Sequence, residues 1–119
     1  MRAFPNRNHT PERVDPMQHT LEILAGKWSL EILKTLLIGD RRPHELLAVL
    51  PGISTKTLIH RLRSLEQRGI VERRLYAEVP PRVEYALTPK GREIQVVLRA
   101  LDQVGQRWLQ QEQSPSDRS

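Results

Sequence analysis

Apolar residues in the first half of the chain recur every three or four positions, which is the spacing of a single helix face. The pattern predicts an amphipathic first helix from Pro16 to about residue 25 and a second, core-centred helix that ends at Gly39. A short third helix has Pro43 near its first turn and stops at the Pro51–Gly52 pair. The first half of the chain is therefore expected to be helical.

The segment "GISTKTLIHRLRSLEQRGIVERR", residues 52–74, predicts a fourth helix with two different faces. Ser54 is a suitable N-cap because its hydroxyl can accept a free backbone N–H, and Gly69 is a suitable end. On a helical wheel, one line is apolar and the opposite line is polar or basic. The apolar line is Leu58, Leu62 and Leu65, and the opposite line is Lys56, His60, Arg63 and Gln67. We expect the first line to pack on the domain and the second to stay free.

After the fourth helix the apolar positions alternate, which is the pattern of half-buried strands. Residues 70–76 and 82–88 predict two strands of a hairpin, joined by a tip that contains Pro80 and Pro81. Thr88 as N-cap and Pro89 at the first helical position then predict a long last helix over about 88–111.

These elements predict a mainly α fold with a small β-hairpin, the winged helix-turn-helix. The hairpin is the wing, and the turn "PGIS" joins the third helix to the fourth. Residues 16–111 are expected to form this domain, between a flexible arm over 1–15 and a disordered tail over 112–119.

The predicted last helix has an apolar seam that the rest of the chain is too small to cover. The seam consists of Ile94, Val97 or Leu98, Leu101, Val104 and Trp108. A second copy of the chain, packed seam against seam, is expected to cover it. The alternative is that the last helix folds back on the first helix of its own chain.

The charge of the chain favours an anionic partner. The 119 residues carry a formal net charge of +5, and the sequence pI is about 10.2. Six cationic residues and two carboxylates lie within residues 54–74, so most of the excess falls on the fourth helix and the start of the wing. Nucleic acid is the first expectation, before a membrane surface or an acidic protein, and a solvated charged face is the alternative.

Several kinds of site are disfavoured by the sequence. There is no cysteine, which excludes disulfides, thiolate metal sites and thiol redox sensing. The four histidines show no metal-ligand spacing, and there is no phosphate-binding loop or catalytic triad, so neither a metal, a cofactor nor an enzyme is expected. No apolar run approaches the ~20 residues of a membrane span, and residues 1–16 lack a signal-peptide core, which favours a cytoplasmic, nucleoid-associated protein.

The fourth helix, 54–68, is expected to enter the major groove of double-stranded DNA, with the wing, 70–88, at the minor groove. Thr55, Lys56 and His60 are the best candidates for base contacts, and Arg63 for a phosphate. In the wing, Arg82 is the first candidate, although it could instead pair with Glu78 or Glu84 across the hairpin. The full set predicted to contact DNA is Ser54, Thr55, Lys56, Thr57, His60, Arg63, Arg73, Arg82 and Arg42.

Several blocks together resemble the HxlR-type winged-helix transcriptional regulators of bacteria, which are relatives of the MarR group. The blocks are "GKW", "LPGIS", "L-x-x-RL-x-x-LE-x-x-G" and "YAEVPPRVEYALTPKGR", and the resemblance covers roughly residues 16–110. It implies a homodimer joined through the first and last helices, which adds Met17 and Leu21 to the predicted dimer contacts. Many members carry a sensing cysteine two residues before the position of Met17, where this chain has Asp15, so thiol sensing is not implied.

The function expected from these observations is a sequence-specific regulator of transcription, acting as a repressor on a palindromic operator. Because the chain has no cysteine, any signal would act without covalent modification of a thiol. An example is a small-molecule effector in a cavity between the terminal helices and the winged body. Two alternatives stay open. One is a winged-helix module that docks an acidic protein through its basic face, and the other is an RNA- or ribosome-associated winged helix.

Overall fold

The computed structural model describes residues 14–113, and the predicted arm up to residue 13 and the last six residues lie outside this range. In chain order the elements are α1 (Pro16–Leu24), α2 (Ser29–Ile38), α3 (Pro43–Val49), α4 (Thr55–Gln67), β1 (Val71–Tyr76), β2 (Arg82–Leu87), α5 (Pro89–Arg92) and α6 (Ile94–Gln113). The helices and the antiparallel hairpin are those expected from the sequence, with one exception in the last helix. Within the described residues, no helix is long and apolar enough to cross a membrane.

Local side-chain contacts fix where three of the helices begin. Asp15 accepts the backbone N–H of Met17 at 3.2 Å and so caps α1. Ser54 caps α4 by accepting the N–H of Thr57 at 3.0 Å, and Thr88 caps α5 in the same way. Such caps satisfy backbone donors that have no partner inside the helix, and each stabilises by about 1 kcal/mol.

The core lies between α2, α3, α4 and the base of the hairpin. Its largest fully buried side chains are Ile32, Leu33, Leu36, Leu46, Leu50, Leu58, Leu62 and Val71. Burying one such side chain stabilises the fold by about 1.5–3 kcal/mol before the entropy cost of ordering it. Because α2 supplies three of them, it is the centre around which α4 and the hairpin are placed.

The hairpin is joined to the helical body by backbone and side-chain contacts. Its register pairs Val71 with Leu87 at the base and Tyr76 with Arg82 at the tip. Tyr85 also exchanges backbone hydrogen bonds with Arg41, in the loop between α2 and α3, at 3.0 and 2.8 Å. The wing is therefore held at its base by a third, one-residue strand.

The last helix differs from the prediction of a single element over about 88–111. It is interrupted at Glu93, which separates the short helix α5 from α6. Helix α6 also extends to Gln113, two residues into the segment expected to be a tail. The apolar spacing gave no sign of the interruption, because the periodic apolar residues begin only after it, at Ile94.

Candidate nucleic-acid interface

Helix α4 is fastened to the domain by one side only. Leu58 and Leu62 are fully buried and Leu65 is 3% exposed, so the apolar line of the helical wheel packs into the core as predicted. At the other side Thr55, Lys56, His60 and Arg63 are exposed. The helix thus presents one polar, cationic surface to solvent along its whole length.

The predicted contact residues of α4 divide into two groups. The hydroxyl of Ser54 donates to the hydroxyl of Thr57 at 2.9 Å and accepts its backbone N–H, so both side chains belong to the helix cap. The side chains of Lys56, His60 and Arg63 take part in none of the ion pairs of residues 14–113. The side chains of Lys56, His60 and Arg63 are therefore free for a ligand. Next to Ser54, the backbone amides at the start of α4 are a further set of donors for an anion.

The arginines of the wing differ in how far they are engaged. Arg74 pairs with Glu72 at 2.6 Å and with Asp40 at 2.8 Å, and the hydrogen bond to Glu72 is the main reason that its pKa is raised above the ordinary value. Arg73 is exposed and takes part in none of the ion pairs of the described chain. Arg73 is therefore the wing arginine with a free guanidinium.

Arg82 forms ion pairs with Glu78 and Glu84, which was the alternative to DNA contact. Its guanidinium lies 2.9 Å from Glu78 and 3.4 Å from Glu84, and it stacks at 4.2 Å from the ring centroid of Tyr76. Its side chain is 27% exposed, and its Nε is buried without a hydrogen-bond partner among the described residues. The structure places Arg82 in a cluster at the wing tip, in which only the stacking on Tyr76 crosses to β1, and its contact with DNA stays a prediction.

Arg42 lies at the start of α3, where its backbone N–H donates to Glu45 at 2.7 Å. This hydrogen bond is the main cause that lowers the pKa of the Glu45 carboxyl. The side chain of Arg42 is half-buried and faces the wing tip across a shallow cleft lined also by Val79 and Pro80. It is near the wing rather than on the exposed face of α4.

One cation of the basic segment is turned away from the exposed face. The guanidinium of Arg61 lies over Gly26, so close that a Cβ at Gly26 would be 2.5 Å from its Nη1. Its Nε is buried without a hydrogen-bond partner among residues 14–113. The helical wheel carries a signal for this, because position 61 lies on the flank between the leucine line and the basic line.

Helices α1 and α6 leave apolar residues uncovered in the single chain. Met17 is 69% exposed and Leu21 50%, while on α6 Leu101 is 54% and Trp108 61% exposed. Ile94 and Val97 pack against the core, and Leu98 and Val104 are half-buried. The outer part of α6 is therefore not folded back on α1, which was the alternative to a dimer.

Comparison with known proteins decides which family carries this arrangement. The family model of the HxlR-like helix-turn-helix matches residues 23–113, from the end of α1 to the end of α6. The chain belongs to the HxlR family. An HTH-type transcriptional regulator of Synechocystis sp. is 48% identical to this HxlR-family chain over 120 residues, covering 93% of the chain and 89% of the relative.

Solved structures agree with this HxlR assignment. The HTH-type transcriptional regulator YtcD superposes with a TM-score of 0.77 at 37% identity, covering 82% of this chain and 99% of that one. A MarR-family transcriptional regulator from Enterococcus faecalis V583 superposes with a TM-score of 0.75 at 36% identity, covering 83% and 93%. The fold is thus the winged helix of these regulators, and the HxlR-family chain is a DNA-binding transcriptional regulator rather than an enzyme.

Proposed function

We propose that this HxlR-family chain is a homodimer that binds a palindromic operator in double-stranded DNA and represses transcription there. The observation that carries the proposal is helix α4, whose leucine line is enclosed in the core while Lys56 and His60 stay exposed on the opposite side. A major groove about 12 Å wide accommodates one helix of this kind. A dimer seated over a promoter blocks access to it, and such a protein would be found with the nucleoid.

The homodimer is supported by the uncovered apolar residues of the two terminal helices. On α6, Leu101 and Trp108 lie more than half exposed, and on α1 Met17 is 69% and Leu21 50% exposed. A twofold axis that passes through the exposed seam of α6 would bury the same residues of both copies at once. Two α4 helices related by this axis would read half-sites about one helical turn, ~34 Å, apart or a multiple of it.

Within each half-site the proposed contacts follow from position on the helix. Thr55, Lys56 and His60 occupy the N-terminal half of the exposed face, which is the part of a recognition helix that reaches base edges. Arg63 lies further along and has the reach for a phosphate. Of the wing residues, Arg73 is assigned to the phosphates of the adjacent DNA backbone, because its guanidinium has no carboxylate partner within the described residues.

Replacement of Lys56 by alanine is the experiment that tests the groove assignment. The lysine ammonium is suited to guanine O6 and N7, so its loss should lower the ratio of specific to nonspecific affinity by about tenfold. Arg73→Ala should instead weaken binding to all sequences alike and reduce the slope of log affinity against log salt by about 1. The measurement is a fluorescence-anisotropy titration of operator and scrambled duplexes over a series of salt concentrations.

Lys34→Ala is the matched control, since Lys34 is an exposed lysine on α2 with a side chain that is 61% accessible. This control should leave both affinity and selectivity at the level of the unaltered protein. If Lys56→Ala behaved like Lys34→Ala, the assignment of α4 to the major groove would be wrong. Preferential binding to structured RNA or to an acidic protein, with no selectivity among duplexes, would contradict the proposed function itself.

A small-molecule effector is the last part of the proposal. A cavity of about 290 Å³ lies between α1, α2 and the α5–α6 junction, lined among others by Thr20, Ile23, Lys90 and Glu93. A bound compound should raise the melting temperature of the protein, and Thr20→Trp should abolish that shift by filling the cavity. A compound that raises the melting temperature of the unaltered protein and of Thr20→Trp equally would bind elsewhere, and the proposed effector site would lose its support.

A further inference from the structure

The short helix α5 is fastened to the C-terminal end of the recognition helix. The backbone N–H of Thr88 donates to the carbonyl of Ile70 at 3.0 Å, and its hydroxyl donates to the carbonyl of Gly69. The ammonium of Lys90 donates to the carbonyl of Arg68 at 2.6 Å. Residues 88–91 and 68–70 thus form one connected unit, which we name the α4–α5 clamp.

One group that the clamp engages, the carbonyl of Arg68, is of the kind that a helix end leaves unsatisfied. The last carbonyls of an α-helix have no partner inside it and carry the negative end of the helix dipole, so a lysine ammonium is a suitable donor. Arg68 is the C-cap of α4, and Gly69 follows it with φ of 75°, which turns the chain so that its carbonyl points to Thr88. The clamp therefore replaces solvent at the end of α4 with a fixed contact.

Close packing makes the clamp rigid at its centre. A Cβ built on Gly91 would lie 2.1 Å from the carbonyl oxygen of Ile70, so backbone lies directly on backbone there. Gly91 also donates its N–H to the hydroxyl of Thr88 at 3.0 Å, which holds the side chain that reaches Gly69. A displacement of α5 relative to residues 68–70 would break all of these contacts at once.

The other end of α5 leads directly into the proposed dimer helix. Only Glu93 separates Arg92, the last residue of α5, from Ile94, the first residue of α6. Ile94 and Val97 rest against the core, and the exposed seam follows one turn later. The clamp thus connects the end of α4 to the start of the helix that carries the proposed dimer seam.

We infer that Thr88 and Lys90 are positioning residues that fix α4 relative to α6, and so set the separation of the two recognition helices in the dimer. The operator spacing that the regulator selects would then depend on the clamp, although neither residue touches a base. This inference rests on the proposed function for its consequence on DNA. Its structural content, the fixed distance between the two α4 helices, is measurable without DNA.

The DNA experiment uses Lys90→Met, which keeps the length of the stem and removes the donor. Duplexes carry two half-sites at the preferred spacing, or one base pair closer or further apart, or a single half-site. We expect the variant to lose about fivefold in affinity at the preferred spacing, less at the other spacings, and almost nothing on the single half-site. Lys90→Arg should restore the spacing optimum, and Lys34→Met controls for the lost charge.

The outcome that overturns the inference is an equal loss on every duplex, which would make Lys90 a simple phosphate contact or a general stability residue. An unchanged spacing profile would overturn it as well. If the unaltered protein bound no duplex selectively, the proposed function would fail, and the inference would be judged by the distance measurement alone.

The distance measurement uses the absence of cysteine in the chain. Gln67→Cys places one spin label at the exposed end of α4 in each copy, and double electron-electron resonance reports the distance between the labels without DNA. With the native Lys90 we expect a single narrow distribution, and with Lys90→Met a broader or shifted one. Identical distributions would overturn the role of the clamp.

Discussion

Replacement of Gly91 by alanine is expected to lower the free energy of unfolding by about 3 kcal/mol, since overpacking against fixed backbone has no inexpensive relief. The added Cβ would fall 2.1 Å from the carbonyl oxygen of Ile70, and this atom cannot rotate away as the end of a side chain can. Either the start of the wing or α5 must move, and each movement strains the hydrogen bonds of Thr88. Urea denaturation followed by circular dichroism measures the change.

Gly105→Ala provides the opposite expectation in the same chain. Gly105 lies inside α6 on the same side as Leu101 and Trp108, and in the single chain a Cβ added there has no atom within 4 Å beyond its own helix backbone, so alanine meets open space in the monomer. Its better helix propensity should raise the stability of the monomer by roughly 0.5–1 kcal/mol. If the two substitutions shifted the urea midpoint in the same direction, close packing at Gly91 would not be the cause of its effect.

The recognition helix could be predicted from the sequence because its determinants are local. Ser54 supplies the cap and Gly69 the left-handed turn, at φ of 75°, and both act within a few residues of the helix. The row of Leu58, Leu62 and Leu65 follows helical spacing without interruption, so the buried side was readable from the periodicity. Everything needed to orient the basic face was therefore present in one segment.

The wing shows where local reasoning stops. Its strands and their pairing follow from alternation, but the state of each arginine depends on which carboxylate lies nearby in space. Arg74 pairs with Asp40, which is 34 positions away in the sequence. Arg82 pairs with Glu78 and Glu84, and the sequence allowed this pairing and DNA contact alike. The free guanidinium of Arg73 became evident only from the three-dimensional arrangement.

The clamp could not be predicted for the same reason. Lys90 is an exposed lysine in a polar segment, and the neighbouring residues do not predict its hydrogen bond to the carbonyl of Arg68, 22 positions earlier. The interruption at Glu93 is also without a signal in the sequence, since the periodic apolar residues begin only after it, at Ile94. Contacts made by backbone carbonyls leave little trace in side-chain patterns, because any residue type can supply the carbonyl.

The dimer seam has the largest expected effect on function. Leu101→Asp should convert the protein to a monomer, because a twofold interface would bury the new carboxylate of each copy. Operator affinity should fall by more than about 100-fold, because a monomer contacts only one half-site. The fold itself should persist, since Leu101 is 54% exposed in the single chain. Sedimentation velocity and an operator titration on the same samples measure the two effects.

Gln103→Asp is the control that separates the seam from the charge. Gln103 is exposed on the opposite side of α6, two positions from Leu101, and receives the same new carboxylate in the same helix. This variant should sediment and bind DNA like the unaltered protein. A Leu101→Asp protein that stayed dimeric would mean that α6 is not the twofold contact, and Met17 and Leu21 of α1 would be tested next. A monomer that kept full operator affinity would instead contradict the paired reading of two half-sites, because one recognition helix would then account for all of the binding energy.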